Sequence, residues 1–437
     1  MTGLDDTHDP ALTSWVASAR GSAFPIQNLP YCRWRPTGSD GAWRTGVGIG
    51  DRILDLSGLA ERAPFDGVAA IALTAAVGPE GLNGLMARSP VEWRALRAAL
   101  SRLLSSANAT GPAMPGDLLF PQGEAAFDVP ARVGDFTDFY ASLPHAMIGS
   151  RLNRPEDGFA AAFKWMPLGY HGRSSSIVVS GTPVRRPRGQ WLPPGEERPV
   201  FAPTEALDFE AELAFWIGGG NALGEPIPIE QAQDHVFGCS ILNDWSARDI
   251  QRWEMKPVGP LLGKDFATTV SPWIVTMEAM APFLAPRPER APEDPRPLPH
   301  LDGPTDRARG AIDIVIESAL RTGAMRAAGA APQRLGRSLY RDHYWTIGQM
   351  IAHHTSNGLN LRPGDILSSG TISSAVPQGG GCLIELSERG AKPIPVGDGE
   401  ARGFLLDGDE LTLTAACHRE GFVSIGFGAA VGTIIPS

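Results

Sequence analysis

The chain is short of positive charge, of thiols and of long apolar runs, and each shortage removes a class of function. Its 38 Lys and Arg stand against 48 Asp and Glu, a formal net charge of −10. It therefore lacks the clustered cations that grip a phosphate backbone, and nucleic acid is excluded as the main partner. No run approaches the roughly 18 apolar residues of a membrane span. The acidic start Met1-Thr2-Gly3-Leu4-Asp5-Asp6 has neither the basic nor the apolar region of a secretory signal. These absences predict a cytoplasmic chain acting on a small molecule. The four cysteines, Cys32, Cys239, Cys382 and Cys417, lie far apart without the CxxC spacing of a zinc or redox centre, and are expected to be buried free thiols. No GxSxG elbow, HExxH helix or Gly-Lys-Ser/Thr phosphate loop occurs, which removes the commonest serine-hydrolase, zinc-protease and P-loop readings. No solenoid or propeller repeat is present.

What the chain does have is 51 Gly and 39 Pro in 437 residues, a composition that favours turns and short strands. At roughly 100–200 residues per domain the length implies two, divided here as 1–125 and 126–437. In residues 24–56, Trp43-Arg44-Thr45-Gly46-Val47-Gly48 alternates and Arg52-Ile53-Leu54-Asp55-Leu56 follows a Gly-Asp turn, as in a small β-barrel. Residues 69–108 are helically spaced, with Ser89-Pro90-Val91-Glu92 supplying an N-cap, a first-turn proline and an acidic first turn. Beyond residue 125, strand patterns at 175–180, 210–217, 273–277, 311–317, 411–416 and 422–428 outnumber helical candidates at 229–235, 246–253 and 346–354. A β-rich α+β fold follows. Residues 282–306 hold eight prolines and are expected to form an ordered surface excursion without a regular helix or central strand.

The chemistry-bearing residues are scattered. Glu210 and Glu212 in Leu207-Asp208-Phe209-Glu210-Ala211-Glu212-Leu213 are two apart, which on a strand aims both carboxylates at one face while Phe209, Ala211 and Leu213 take the other. Such a pair repels itself unless solvent or a hard cation screens it, so a solvated polar face and a Ca²⁺ or Mg²⁺ site both fit. Asp244 ends the apolar run Val236-Phe237-Gly238-Cys239-Ser240-Ile241-Leu242; an acid at a strand rim and an N-cap for the following helix are the alternatives. Arg248 and Gln251 share a face of that helix, where they suit either a carboxylate or oxyanion site or a surface salt-bridge network. Asp138-Phe139-Tyr140 and His145 fall in a segment with Gly134, Pro144 and Gly149 that reads as loop. His145 is a candidate general base or a structural histidine. Gly169-Tyr170-His171-Gly172-Arg173-Ser174-Ser175-Ser176 reads as a binding loop. The adjacent His353 and His354 point about 100° apart on a helix and are read as packing or capping residues.

Taken in order, Asp138-Phe139-Tyr140, Gly169-Tyr170-His171-Gly172-Arg173, Asn243-Asp244-Trp245-Ser246-Ala247-Arg248-Asp249-Ile250-Gln251, Leu262-Gly263-Lys264, Ser369-Gly370-Thr371 and Leu405-Leu406-Asp407-Gly408-Asp409 resemble the fumarylacetoacetate hydrolase family across roughly residues 24–434. The resemblance implies an N-terminal SH3-like barrel, a larger mixed β-sheet and β-roll domain, and a homodimer. It also implies metal-dependent hydrolysis of 4-fumarylacetoacetate to fumarate and acetoacetate, the last step of tyrosine and phenylalanine breakdown. In that family's pattern Asp138, Glu210, Glu212 and Asp244 hold Ca²⁺ or Mg²⁺, with Lys264 and Thr268 at a nearby cation site. His145 is the base oriented by Glu385, and Arg248, Gln251 and Lys264 stabilise the oxyanion. Tyr140, Arg154, Tyr170, Gln251, Met255 and Thr371 line the substrate site. Two departures stand out. Met255 occupies the position of a substrate-contacting tyrosine, and a one-residue length difference between His145 and Tyr170 leaves Arg151 as an alternative to Arg154. The rival readings are a relative acting on another diketo acid, such as an acylpyruvate, and a catalytically dead binding protein.

Overall fold

The computed structural model describes residues 3–108, 115–153 and 158–437. The N-terminal part is a five-stranded antiparallel sheet in the order Leu119–Pro121, Arg52–Asp55, Arg44–Ile49, Tyr31–Pro36 and Ala125–Asp128. Its last strand spans the expected division near residue 125. The helical region of 69–108 is three helices, Gly67–Val77, Leu82–Met86 and Pro90–Leu104. Gly81, at φ +55°, enters a left-handed turn that interrupts the pattern. The expected cap at Ser89 is present, its backbone N–H donating to Glu92 at 2.9 Å with Pro90 in the first turn.

The larger part is built on an eight-stranded mixed sheet. Its main path runs Leu168–Gly172, Phe136–Tyr140, Ile366–Ser368, Ala211–Ile217, Val236–Asp244, Thr268–Val270 and Ile177–Val179, with Val275–Thr276 also pairing to Val236–Asp244. Both faces are covered, which explains why its central strands are apolar on both sides. Along Ala211–Ile217, Ala214 and Trp216 join a core shared with the N-terminal helices. Leu213, Phe215 and Ile217 join the main core beneath the second sheet. That second sheet runs Gln333–Leu339, Ile314–Arg321, Glu410–Cys417, Ile425–Ile435 and Val184–Arg185. The outcome is a two-domain, β-rich fold with mixed sheets.

Several local expectations needed correction. The segment holding Asp138 and His145 is not a loop: Phe136–Tyr140 is a strand, parallel to Ile366–Ser368 and antiparallel to Leu168–Gly172, and Leu143–Asn153 is a helix. Of its two partner strands, Ile366–Ser368 lies more than two hundred residues away in sequence, so no local pattern announces that pairing. The expected binding loop at 169–176 begins as that same strand, Leu168–Gly172. The helix expected at 229–235 shrinks to a 3-10 turn at Ala232–His235, because the chain must enter a buried strand at Val236. The helix expected from 246 begins at Arg248, since Ser246–Ala247 pair instead with Leu207–Asp208. Asn243 and Asp244 therefore belong to a strand, and neither caps that helix. The proline-rich 282–306 contains short turns at Ala281–Phe283 and Pro299–Leu301 and a two-residue strand, Leu284–Ala285, but its end does enter a helix, Pro304–Arg309, because a proline is tolerated at the first helical position. All four cysteines are buried and free. Among the described residues no helix is long and apolar enough to cross a membrane.

Candidate metal centre and active site

Three strands deliver the carboxylates to one end of the large sheet: Phe136–Tyr140 carries Asp138, Ala211–Ile217 carries Glu212 with Glu210 immediately before it, and Val236–Asp244 ends on Asp244. Register sets Asp138 opposite both Ser368 and Tyr170, Ser368 opposite Ala214, Glu212 opposite Leu242, and Asp244 opposite Thr268. Glu210 and Glu212 take one face of their strand, while Phe209, Ala211 and Leu213 enter the main core on the other. All four acids are buried, and each offers an oxygen within 4.8 Å of the others. The solvated-face alternative for the glutamate pair is thereby excluded.

Their partners are uneven. Lys264 Nζ donates to Glu210 Oε2 and Asp244 Oδ2, each at 2.6 Å. Tyr170 Oη donates to Asp244 Oδ2 at 3.0 Å and Thr268 Oγ1 to Asp244 Oδ1 at 3.1 Å. Ser368 donates to Glu212 Oε2. Asp138 Oδ1 and Glu212 Oε1 are buried without a hydrogen-bond donor. A buried carboxylate oxygen left bare is costly, and a hard cation bound by oxygen donors satisfies it. The electrostatics agree. Burial and the neighbouring acids push the Asp138 and Glu212 carboxyls well above the usual carboxylate range. Burial opposes charge on Glu210 as well, but Lys264 and Arg248 outweigh it and hold that carboxyl low.

Beside the cluster, His145 and Glu385 form a buried pair, with Nδ1 to Oε1 at 2.8 Å. Glu385 Oε2 accepts from Ser373 Oγ at 2.7 Å and from the Gly381 N–H at 2.8 Å. Burial disfavours its charge, yet His145 and these donors hold its carboxyl below the ordinary range. An ionised Glu385 makes Nδ1 the donor and leaves Nε2 as a proton acceptor. The Tyr140 ring stands edge-on to His145, centroids 5.2 Å apart. Both groups open on one cavity of about 620 Å³, lined also by Tyr170, Arg248, Gln251, Met255, Lys264 and Thr371. The Thr371 hydroxyl there is buried and without a protein partner.

The structure thus gathers every expected site residue that it describes, apart from Arg154, which lies outside the described residues. Arg151 falls on the helix Leu143–Asn153 and does not line this cavity. Arg248 is more committed than an oxyanion donor alone. Its Nε reaches Asp208 Oδ2 at 2.8 Å, and its Nη1 reaches Glu210 Oε1 at 2.6 Å and Gln251 Oε1 at 3.2 Å. With the Gln251 oxygen facing the guanidinium, its amide nitrogen is left to donate into the cavity. His354 meets Thr137 Oγ1 at 3.0 Å and packs edge-on against Phe139, a packing role as expected. Sequence reasoning missed Asp208, Ser368, Ser373 and Gly381. Asp208 alone carried a signal, an acid two residues before Glu210 between the apolar Leu207 and Phe209.

Fold and site together define a class: a two-domain, β-rich enzyme in which a buried carboxylate cluster able to hold a cation adjoins a histidine–glutamate pair. The chain belongs to the fumarylacetoacetate hydrolase family. The family profile described as fumarylacetoacetate (FAA) hydrolase C-terminal matches residues 136–435, and that described as fumarylacetoacetase N-terminal matches 27–130. The chain is 44% identical over 428 residues to the fumarylacetoacetase of Rattus norvegicus, covering 97% of this chain and 99% of that one. It is 43% identical to that of Homo sapiens, with 97% and 99% covered, and 42% identical to that of Arabidopsis thaliana, with 98% and 99% covered.

Proposed function

We propose that the chain hydrolyses the carbon–carbon bond of 4-fumarylacetoacetate to give fumarate and acetoacetate, the step that ends tyrosine and phenylalanine breakdown. The observation that carries this reading is that the carboxylate cluster, through Asp138 and Glu210, and the His145–Glu385 pair, through His145, reach one cavity. The near-full-length likeness to fumarylacetoacetases supports the choice of substrate.

Asp138, Glu210, Glu212 and Asp244 would hold the divalent cation, with Ca²⁺ and Mg²⁺ both suited to an all-oxygen set. When bound, it supplies positive charge beside the oxygens of a 1,3-diketone. His145 Nε2 takes a proton from water as the water oxygen attacks the carbonyl carbon next to the scissile bond. Glu385 holds the ring and balances the imidazolium. Gln251, Lys264 and Arg248 face the developing oxyanion, donors worth about 2.7–4 kcal/mol each in other hydrolases. As the bond breaks, its electron pair passes to the acetoacetate carbon as an enolate, which the proton held on His145 quenches. Tyr140, Tyr170, Met255, Thr371 and Arg154 position the remainder of the substrate. Thr268 and Lys264 belong to the proposed neighbouring cation site; a protonated Nζ has no lone pair, so ligation from position 264 falls to its main-chain oxygen.

The same reading includes a homodimer in the cytoplasm, an SH3-like barrel over residues 1–125 and a catalytic domain over 126–437. A second substrate, another diketo acid such as an acylpyruvate, is favoured by one observation: Met255 lines the cavity with an apolar side chain where a hydroxyl donor is expected. Purified protein with Mg²⁺ or Ca²⁺ should consume fumarylacetoacetate, seen as loss of diketone absorbance. Absence of that turnover, with activity on an acylpyruvate or oxaloacetate, would overturn the first reading and establish the second.

A further inference from the structure

Asp208 is fully buried and touches both halves of the site without lining the cavity. Its Oδ2 accepts from Arg248 Nε at 2.8 Å, and Arg248 Nη1 in turn donates to Glu210 Oε1 at 2.6 Å. Its Oδ1 accepts from the Leu383 N–H at 2.7 Å, and Oδ2 from the Ile384 N–H at 3.1 Å. Those two amides open the short helix Leu383–Leu386, which carries Glu385 and hence the hydrogen bond to His145. The backbone reinforces the link. Asp208 pairs with Ser246 two residues before Arg248, and the Ala211 N–H donates to the Gly381 carbonyl at 2.9 Å, just before that helix.

We propose that Asp208 is a positioning residue that fixes the separation between the cation cluster and the general base. The need for such a device follows from the chemistry. Base and cation act on neighbouring atoms of one substrate, and a misplacement of about 1 Å costs on the order of 10²-fold in rate. Yet Glu210 and Glu385 stand far apart in sequence, and their side chains answer to different donors, Lys264 and Arg248 for the first and His145, Ser373 and the Gly381 N–H for the second. A single carboxylate that accepts from the guanidinium holding Glu210 and from the amides presenting Glu385 locks both to one point. A carboxylate suits the place because it has acceptor capacity for every one of these donors, whereas an asparagine would turn its NH2 toward N–H groups.

The inference rests on the proposed roles of His145 and Glu385, and the test separates the two. Asp208→Asn, Glu385→Gln and the double variant are compared for kcat, KM, cation affinity by calorimetry and the low-field proton NMR signal of the His145–Glu385 hydrogen bond. Asp208→Asn should lower kcat by about 10–100-fold with KM little changed. It should also shift the low-field resonance and weaken cation binding, and on the Glu385→Gln background its cost in kcat should largely vanish. A purely structural role would lower the melting temperature while leaving the resonance and the cation affinity in place, and that result overturns the inference. So does a kcat loss that multiplies in full with that of Glu385→Gln. Full activity in Glu385→Gln alone instead refutes the role assigned to Glu385 in holding the base. If Asp208→Asn does not fold, Asp208→Glu, which keeps the charge but displaces it by one methylene, carries the same comparison.

Discussion

The Nζ of Lys264 lies 2.6 Å from both Glu210 Oε2 and Asp244 Oδ2, so one ammonium bridges two of the four clustered carboxylates. Burial alone would drive that amine toward neutrality, but Asp244 and Glu210 outweigh burial and hold it protonated. Removing one partner of a buried pair typically costs about 3–5 kcal/mol, because the other charge is stranded. Lys264→Met is therefore expected to destabilise the cation-free protein by about that amount. Saturating Mg²⁺ or Ca²⁺ should return much of the loss, since ligand at 100 times its Kd contributes about 2.7 kcal/mol. Thermal unfolding with chelator and with added cation measures both quantities. An equal loss in the two conditions would remove the cation from this cluster.

His145→Ala is expected to lower kcat by about 10²–10⁴-fold, the usual range for a lost general base. The fold should persist, because Glu385 keeps its donors from Ser373 and Gly381. Steady-state kinetics beside a melting curve decide the matter, and undiminished turnover by a folded variant would refute the role.

Stability should also depend on pH through Glu278, which does not line the cavity. Burial pushes its carboxyl from 4.5 up to about 7, only partly opposed by Arg97 and Arg94 on the helix Pro90–Leu104, while Tyr31 faces it from the first sheet. An acid with a raised folded pKa binds more protons folded than unfolded between those two values, so stability falls as pH rises through this window. The shift corresponds to about 3 kcal/mol, complete above pH 7. Glu278→Gln should flatten this part of the pH–stability curve, as denaturant titrations from pH 4.5 to 8 would reveal.

Gly370 offers a steric prediction. Its φ is +70°, and a Cβ there would stand 1.9 Å from the Phe139 carbonyl oxygen. Gly370→Ala combines a left-handed backbone with a clash that pushes on the strand of Asp138 and Tyr140. Such strain costs about 1–3 kcal/mol, and kcat should fall with stability. Unchanged kinetics would show that the strand absorbs the displacement.

Much of this site was written locally. The two-residue spacing of Glu210 and Glu212, with apolar Phe209, Ala211 and Leu213 between and beside them, already fixed which face each side chain takes, because a strand alternates. Ser89-Pro90-Val91-Glu92 likewise announced a helix start, since a cap is satisfied within its own first turn. Asp138 was misplaced in a loop for the opposite reason: its strand is held in part by Ile366–Ser368, and a parallel partner so far along the chain leaves no mark on neighbouring residues, while His145 proved to lie on the helix Leu143–Asn153.

The sequence by itself determined the β-rich class, the two-part organisation, the free cysteines and, through the order of its motifs, the family and the names of the clustered residues. Tertiary structure alone decided that four carboxylates share 4.8 Å at one sheet end, that Arg248 is tied to Asp208 as well as to Glu210, and that Asp208 reaches the helix of Glu385. Alternation and capping act over a few residues and can be read along the chain. Charge repulsion, burial and hydrogen bonds between distant strands exist only once register has brought those strands together.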